Sequence, residues 1–287
     1  MITINGREVK IEHFPDGTQR INIKEIVDDA YSMNYKYHIT CKYHITWRYE
    51  KEEEMSTLIY ITRHLRNMPT TSFVSLYIPY IPNARMDRIH DRGEIFTLKS
   101  FADVINWLRF DEVVILDPHS NVSEALIDRC RKLDVRHIIQ NVVNQTERDN
   151  SELVLYFPDA GAAKRYVDMF PKYKYCYGEK ERDWDTGKIK RLNIRLNNIN
   201  SLEDKTVLII DDIISYGGSL YYSALALKDK KAKHIYAYAT HTENSVLDPK
   251  NGTLIKLLID GTVEKLFTTN SIYNSKHEKI AVSNFRD

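Results

Sequence analysis

The stretch Val207-Leu-Ile-Ile-Asp-Asp-Ile-Ile-Ser-Tyr-Gly-Gly-Ser219 decides the fold. Its first four residues are apolar and predict a buried strand that ends in two carboxylates, and the apolar period of residues 220–228 predicts a helix after the glycines. In open parallel sheets, ligands bind beyond the carboxyl ends of the strands, where the next helix also points its free N–H groups. The segment therefore predicts a site for a phosphate, with sugar hydroxyls or Mg²⁺ beside Asp211 and Asp212.

A strand that ends in two aspartates also occurs in P-loop ATPases, and the sequence excludes that class. The P-loop reads G-x-x-x-x-G-K-[ST], whereas the one Gly-Lys pair, Gly187-Lys188, is followed by Ile189. The G-x-G-x-x-G of dinucleotide-binding folds is absent as well. The Gly217-Gly218 turn is therefore the candidate phosphate loop.

The rest of the chain alternates strands and helices around this segment. We expect strands at 2–4, 9–13, 20–23, 37–48, 73–78, 112–116, 153–157, 173–177, 206–210, 235–240 and, as the last one, 265–268. The predicted helices are 56–68, 99–109, 160–169, 220–228 and 253–260. Strands separated by such helices predict mostly parallel sheets flanked by helices on both faces. The polar stretch 145–152 is the predicted linker between two α/β domains, 1–147 and 148–287.

Composition narrows the possible partners. Lys and Arg total 41 and Asp and Glu total 40, so a net charge of +1 gives no basic excess for nucleic acid. The polar N-terminal segment and the lack of an 18-residue apolar stretch predict no signal peptide and no membrane span. Three cysteines far apart in the sequence predict ordinary thiols in a reducing compartment. We therefore expect a cytoplasmic protein.

The 207–219 segment resembles the phosphoribosyl-pyrophosphate loop of type I phosphoribosyltransferases and ribose-phosphate pyrophosphokinases. The resemblance implies that Asp211 and Asp212 contact the ribose 2- and 3-hydroxyls. It also implies that the next loop binds the 5-phosphate through Ser215, Tyr216, Gly217, Gly218 and Ser219. The family pattern reads acid-acid-apolar-apolar-Asp-Thr-Gly-Gly-Thr, so Ser215 and Tyr216 depart from it.

Ile78-Pro-Tyr-Ile-Pro-Asn-Ala-Arg-Met-Asp-Arg88 is similar to the first-domain motif of the pyrophosphokinases. The similarity implies that Arg85, Asp87 and Arg88 bind ATP. Arg85 is the residue that we expect on the phosphates, because a planar guanidinium binds phosphate oxygens in pairs.

Val114-Ile-Leu-Asp-Pro-His-Ser120 resembles the family's strand that ends in Asp-x-His. The resemblance implies that Asp117 and His119 hold a Mg²⁺ that bridges the ATP phosphates. Two residues apart at a strand end, their side chains should start on the same face. Histidine is an unusual Mg²⁺ ligand, so contact of His119 with the nucleotide or with a metal-bound water stays open.

Two further segments of the second half resemble family motifs. In Tyr156-Phe-Pro-Asp-Ala-Gly-Ala-Ala163, Asp159 either contacts ribose or metal or caps the following helix. In Gly178-Glu-Lys-Glu-Arg-Asp183, the family resemblance implies that Lys180 and Arg182 open a mobile catalytic loop. The polar residues 183–200 are expected to form its lid.

Near the N-terminus, Phe14 and Asp16 resemble family residues that reach the adenine of a neighbouring subunit. The resemblance thus implies a homo-oligomer whose ATP site is shared between subunits.

Together these motifs imply two tandem phosphoribosyltransferase-like domains and an enzyme that uses ATP, Mg²⁺ and ribose 5-phosphate. The expected reaction moves the β,γ-diphosphoryl group of ATP to O1 of the sugar. Two alternatives remain. A type I phosphoribosyltransferase would leave residues 78–99 and 114–120 unexplained, and a catalytically inactive regulatory homologue would draw its support from Ser215 and Tyr216.

Overall fold

The computed structural model describes residues 1–34, 40–89, 91–147, 151–182 and 189–286. For 31–34, 180–182 and 189–191 the description covers the backbone alone. The chain divides into two compact units, Met1–Asp134 and Val135–Asp287. The sequence prediction drew this boundary after residue 147, and the structure assigns the helix at 136–146 to the second unit because it packs against strands of that unit's sheet.

The first unit contains a six-stranded sheet in the order β2-β1-β5-β6-β7-β8. Strands β5 to β8 are parallel, and β1 is antiparallel to both β2 and β5. Its strands are β1 (Ile2–Ile4), β2 (Arg7–Glu8), the separate hairpin β3 (Ile11–His13) and β4 (Gln19–Ile21), β5 (Cys41–Trp47), β6 (Thr71–Ile78), β7 (Glu112–Leu116) and β8 (Cys130–Leu133). Its helices are α1 (Lys24–Asn34), α2 (Glu54–Arg66), α3 (Thr97–Trp107) and α4 (Asn121–Leu126).

The second unit contains a seven-stranded sheet in the order β11-β10-β9-β12-β13-β14-β15. All neighbours are parallel except β11, which is antiparallel to β10. Its strands are β9 (Leu153–Phe157), β10 (Lys174–Arg182), β11 (Ile189–Asn197), β12 (Thr206–Ile214), β13 (His234–Thr242), β14 (Lys265–Thr269) and β15 (Ile280–Ser283). Its helices are α5 (Arg136–Thr146), α6 (Ala160–Tyr166), α7 (Gly218–Asp229) and α8 (Leu254–Ile259).

The pattern of buried residues explains why these segments pack as they do. In α2, Leu58, Ile61 and Leu65 follow steps of three and four and are buried on one helical face. In β12, the run from Val207 to Ile210 is fully buried, as expected for a central strand covered by helices on both faces. Two α/β units with mostly parallel sheets thus confirm the predicted fold class.

The topology of the second sheet reverses direction between β9 and β12. From β9 the chain crosses to β10 on one side, and it returns to place β12 on the other side of β9. From β12 it continues outward through β13 to β15. The carboxyl ends of β9 and β12 therefore flank a topological switch point, which is where open α/β sheets bind ligands.

Several predicted elements were wrong in extent. Strand β12 does not end at residue 210 but runs on through Asp211 and Asp212, because Ile213 and Ile214 continue the pairing with β13. The strand at 265–268 is not the last one, since β15 pairs with it. The predicted linker at 145–152 begins inside α5, whose helix extends to Thr146.

The stretch at 183–200, predicted to form a lid, is a β-strand over much of its length, and its role as a lid remains a prediction. Residues 183–188 lie outside the described part, but β11 forms a regular antiparallel ribbon with β10. Its apolar residues Leu192, Ile194 and Leu196 alternate with polar ones, which is the period of a strand. The stretch lacks a helical period, and the period of two was missed.

Among the described residues, no helix is both long and apolar enough to span a bilayer. The three cysteines are free thiols. Burial raises the pKa of Cys130 to about 11 and that of Cys176 to about 12, so both are protonated and unreactive near neutral pH.

Candidate active site

The two adjacent acids of β12 lie at the switch point in different environments. Asp212 is 3% exposed, and its Oδ1 lies 3.0 Å from Nη1 of Arg165 on α6. Asp211 keeps a partly exposed side chain, and its Oδ1 accepts a hydrogen bond from the Asp212 backbone N–H at 3.0 Å. Desolvation raises the pKa of Asp211 well above its usual range, and the carboxyl group of Asp212 raises it further. The pair therefore calls for hydroxyl donors or a cation at Asp211.

Asp159 follows β9 on the other side of the switch point. Its Oδ1 accepts a hydrogen bond from the N–H of Ala162 at 3.0 Å, which confirms the capping interpretation for α6. Its charge also contributes to the raised pKa of Asp211, so the two carboxyl groups lie near each other. The Asp159 carboxylate has further lone pairs, so it can cap α6 and also contact a ligand at the switch point.

The loop after β12 is anchored at its first two residues. The hydroxyl of Ser215 donates to Oε2 of Glu243 at 2.8 Å. The carbonyl oxygen of Tyr216 accepts from the backbone N–H of Thr253 at 2.8 Å and from its hydroxyl at 2.9 Å. The side chain of Tyr216 is 44% exposed, so this residue is tied to the structure through its backbone. The protein's own contacts thus anchor the start of the loop.

Gly217 and Gly218 differ in what they require. Gly217 has φ +88°, and an added Cβ would collide with Cβ of Leu254 and lie 3.1 Å from its backbone N. Only glycine fits this position without strain. Gly218 begins α7, which has no side-chain cap, so N–H groups of the first turn can serve an anion. The backbone here suits a phosphate.

The β10–β11 ribbon extends past the same edge of the sheet. Strand β10 pairs with β9 only as far as Tyr177, and residues 178–182 continue beyond the carboxyl end of β9, paired with β11 alone. At Gly178 an added Cβ would lie 2.7 Å from the carbonyl oxygen of Pro158, so glycine lets the ribbon pass close to the turn before α6. Lys180 and Arg182 lie on this extension, although their side chains are outside the described part.

In the first unit, the carboxyl ends of β6 and β7 are neighbours, with Ile78 paired to Ile115. The loops that follow both strands meet at Asp87. Its carboxylate accepts from Nε of Arg88 at 2.9 Å, and this hydrogen bond lowers the pKa of Asp87, with a smaller contribution from His119. The structure thus brings the two predicted ATP motifs together. Asp87 is buried and paired with Arg88, so it suits the role of holding Arg88 in place. Arg85 is exposed and is therefore accessible to a ligand.

Asp117 lies just beyond the end of β7. Its backbone has φ 38°, so strand alternation does not reach it, and a shared face with His119 no longer follows from the strand. The carboxylate is buried at 4% exposure. No group of three or more His, Cys, Asp or Glu forms a metal cluster in the described ranges. Mg²⁺ often takes only one or two protein carboxylates and completes its shell with phosphate and water, so Asp117 fits an ion that arrives with ATP.

Phe14 and Asp16 lie at the tip of the β3–β4 hairpin. Oδ1 of Asp16 accepts from the backbone N–H of Thr18 at 2.9 Å and from its hydroxyl at 2.7 Å, and these bonds lower the pKa of Asp16. Asp16 therefore shapes the turn. Phe14 is 51% exposed, and its predicted contact with a second subunit remains a prediction.

Three residues at the switch point of the second unit were not predicted from the sequence: Arg165, Glu243 and Ser245. Arg165 lies on the predicted helix that follows Asp159, and a cation on a helix expected beside the two acids of β12 was a usable signal. Glu243 and Ser245 follow the predicted strand beside β12, and parallel neighbours end at the same edge. Their link to Ser215 could not be seen without the register.

The chain is similar to known proteins over most of its length. The model of the phosphoribosyl transferase domain matches residues 124–265. The chain is 27% identical over 279 residues to the ribose-phosphate pyrophosphokinase of Sulfurisphaera tokodaii, covering 92% of this chain and 85% of the relative. It is 26% identical over 275 residues to the ribose-phosphate pyrophosphokinase of Bacillus subtilis, covering 94% and 79%.

Among solved structures, the phosphoribosylpyrophosphate synthetase from Mycobacterium smegmatis has the same fold. It superposes with a TM-score of 0.70 at 16% identity and covers 96% of this chain and 86% of that one. Both units are therefore similar to one kind of relative, the ribose-phosphate pyrophosphokinases.

Proposed function

We propose that the chain transfers the β,γ-diphosphoryl group of Mg-ATP to O1 of ribose 5-phosphate, giving phosphoribosyl pyrophosphate and AMP. The observation that carries the proposal is that similarity to the pyrophosphokinases runs through both units. It includes the first unit, where the Arg85–Arg88 and Asp117–His119 segments meet. A phosphoribosyltransferase would leave those segments without a purpose.

Ribose 5-phosphate is assigned to the switch point of the second unit. The 5-phosphate would accept hydrogen bonds from backbone N–H groups of the 215–219 loop and the first turn of α7. The ribose hydroxyls would donate to Asp211 and Asp212. The pKa of Asp211 is raised because its ionised form is poorly solvated in the free protein. Hydroxyl groups of the sugar would supply the missing hydrogen bonds to the carboxylate, and this would strengthen binding.

ATP is assigned to the first unit. The exposed guanidinium of Arg85 would bind phosphate oxygens, and the Asp87–Arg88 pair with His119 would shape the loop around the nucleotide. Mg²⁺ bound with ATP, with Asp117 as the residue that would hold it, would neutralise charge on the phosphate oxygens.

In the reaction, the oxygen of the ribose 1-hydroxyl forms a bond to the β-phosphorus and loses its proton. The bond between that phosphorus and the α,β-bridging oxygen breaks, and AMP leaves. Lys180 and Arg182 would stabilise the charge that grows on the transferring group, because fixed cations do most of the catalytic work in phosphoryl transfer. Their place on the β10–β11 extension beyond the carboxyl end of β9 supports this assignment.

We also infer that the active form is a homo-oligomer in which the exposed Phe14 of one copy covers the nucleotide site of another. A half-exposed aromatic side chain at a hairpin tip is suited to stacking on an adenine ring. Phe14→Ala should raise the KM for ATP and leave that for ribose 5-phosphate unchanged.

The reaction is tested by incubating the pure protein with ribose 5-phosphate, ATP and Mg²⁺ and separating the nucleotides. AMP that appears in step with sugar consumption supports the proposal. ADP would indicate an ordinary kinase and contradict it. Binding of ribose 5-phosphate without turnover would favour the phosphoribosyltransferase or the inactive regulatory homologue.

A further inference from the structure

Glu243 connects the end of β13 to the phosphate loop. Its backbone N–H donates to the carbonyl oxygen of Ile214 at 2.8 Å, so contact between β12 and β13 continues to the point where the loop begins. Its Oε2 accepts hydrogen bonds from the hydroxyls of Ser215 at 2.8 Å and Ser245 at 3.0 Å. The two hydroxyl oxygens are 3.2 Å apart. One carboxylate thus gathers two serines at the base of the loop.

Position 215 is where the family pattern has aspartate and this chain has serine. The carboxylate that is absent from the loop is present 2.8 Å from the serine hydroxyl, on the neighbouring strand. We propose that Glu243 is a positioning residue that supplies this carboxylate from β13 and orders the 215–219 loop for the 5-phosphate of the sugar. The inference rests on the proposed function, which assigns that loop to ribose 5-phosphate.

The chemistry of the groups supports an ordering role. A serine hydroxyl rotates freely and holds no fixed direction by itself, whereas an ionised carboxylate accepts hydrogen bonds that are about twice as strong as neutral ones. Ser215 is fixed from one side by Glu243, and Tyr216 is fixed from the other by Thr253. A loop ordered before the ligand arrives loses less conformational entropy on binding. Losing the Glu243 anchor should therefore weaken sugar binding.

The inference is tested by exchanging the two side chains. Binding of ribose 5-phosphate without ATP is measured by calorimetry for Glu243→Ser, for Ser215→Asp and for the double variant. We expect Glu243→Ser to weaken binding about ten- to a hundredfold, the range for one hydrogen bond to a charged group. Ser215→Asp alone should also weaken binding, because two carboxylates then repel each other. The double variant returns one carboxylate to the pair and should restore most of the affinity.

Glu264→Ser is the matched control. Glu264 also accepts a hydroxyl hydrogen bond, from Tyr236 at 2.6 Å, but it precedes β14 and lies at the opposite edge of the sheet from the loop. Its loss should lower the melting temperature and leave sugar affinity unchanged. Recovery in the double variant but not in the single ones is a result that a merely structural role of Glu243 would not produce.

Two results would overturn the inference. One is a Glu243→Ser variant that binds ribose 5-phosphate like the unmodified protein while that protein still forms AMP, which would leave the proposed function intact. The other is a double variant that binds no better than either single variant. A chain that neither binds nor converts ribose 5-phosphate would instead overturn the proposed function, and the inference with it.

Discussion

The ion pair between Arg165 and Asp212 should stabilise the second unit, and Arg165→Met tests this. Removing one partner of a buried pair costs about 3–5 kcal/mol, because the other charge is left uncompensated. Asp212 is 3% exposed, but the Arg165 side chain is 26% exposed. Water can therefore replace part of the lost interaction, and we expect a loss of about 2–3 kcal/mol in the free energy of unfolding.

The assay must report on the second unit alone, since a chain of two units need not unfold in one step. Hydrogen exchange followed by mass spectrometry on peptides from β12 and α6 gives this local stability. Arg195→Met is the matched control, because Arg195 pairs with Glu179 at 2.7 Å with side chains that are 65% and 42% exposed. An exposed pair of this kind contributes about 0–1 kcal/mol.

A second variant separates charge from packing. Arg165 also lies over the ring of Tyr166, with its guanidinium carbon 5.5 Å from the ring centroid, so its loss removes a cation–π contact as well. Asp212→Asn in the Arg165→Met background removes the unpaired charge and should recover much of the lost stability. If exchange in β12 changes no more than in the Arg195→Met control, the ion pair is not stabilising. If Asp212→Asn recovers nothing, the loss comes from the contact with Tyr166.

Three further predictions concern the same unit. Asp211→Asn should be more stable than the unmodified protein at neutral pH. Because the pKa of Asp211 is raised in the folded state, ionisation of this carboxyl group destabilises the fold at every pH above the unfolded pKa. Urea unfolding curves measured over a pH series should therefore show the gain at neutral pH and its loss below about pH 4. Gly217→Ala should lose about 2–4 kcal/mol in the same measurement through its positive φ and the collision with Leu254, whereas Gly218→Ala, whose Cβ meets nothing within 4 Å, should be near neutral. Lys180→Ala should lower turnover about 10²–10³-fold with little change in calorimetric sugar binding, and near-normal turnover would contradict its catalytic role.

The elements that the sequence predicted well are those whose signals are local. The apolar run before Asp211 and the glycine pair after Tyr216 determine a buried strand, a turn and a helix within a few residues. The order of the strands in the sheet then brings the acids to the switch point, because a right-handed crossover leaves few choices. The class of fold and the position of the site therefore follow from short stretches of sequence.

The missed elements had weaker or different signals. The apolar residues Ile138, Ile139, Val142 and Val143 of α5 follow a helical period, but no helix was predicted there. Strand β11 has an alternating pattern inside a polar stretch, and its lack of a helical period was interpreted as a loop. Both misses are failures to apply the right period rather than limits of the sequence.

The side-chain pairs are a different matter. Arg165 meets Asp212, and Ser215 meets Glu243, only because β9, β12 and β13 adopt one register and their connections bring distant residues to one edge. When the strand register is unknown, many pairings of acidic residues with basic or hydroxyl residues are equally compatible with the sequence. Such contacts become predictable only after the sheet is known.

Ser215 and Tyr216 depart from the family pattern of the loop, but these two departures are weak evidence against activity. Tyr216 contributes its carbonyl oxygen to Thr253, which any residue at that position could supply, and its side chain is 44% exposed. Ser215 has lost a carboxylate, but its hydroxyl is bonded to Glu243. Neither change removes the positive φ of Gly217 or the uncapped first turn of α7, the two features on which the proposed phosphate binding rests. The inactive regulatory homologue therefore loses its main support, because the residues that motivated it are those for which the structure provides substitutes.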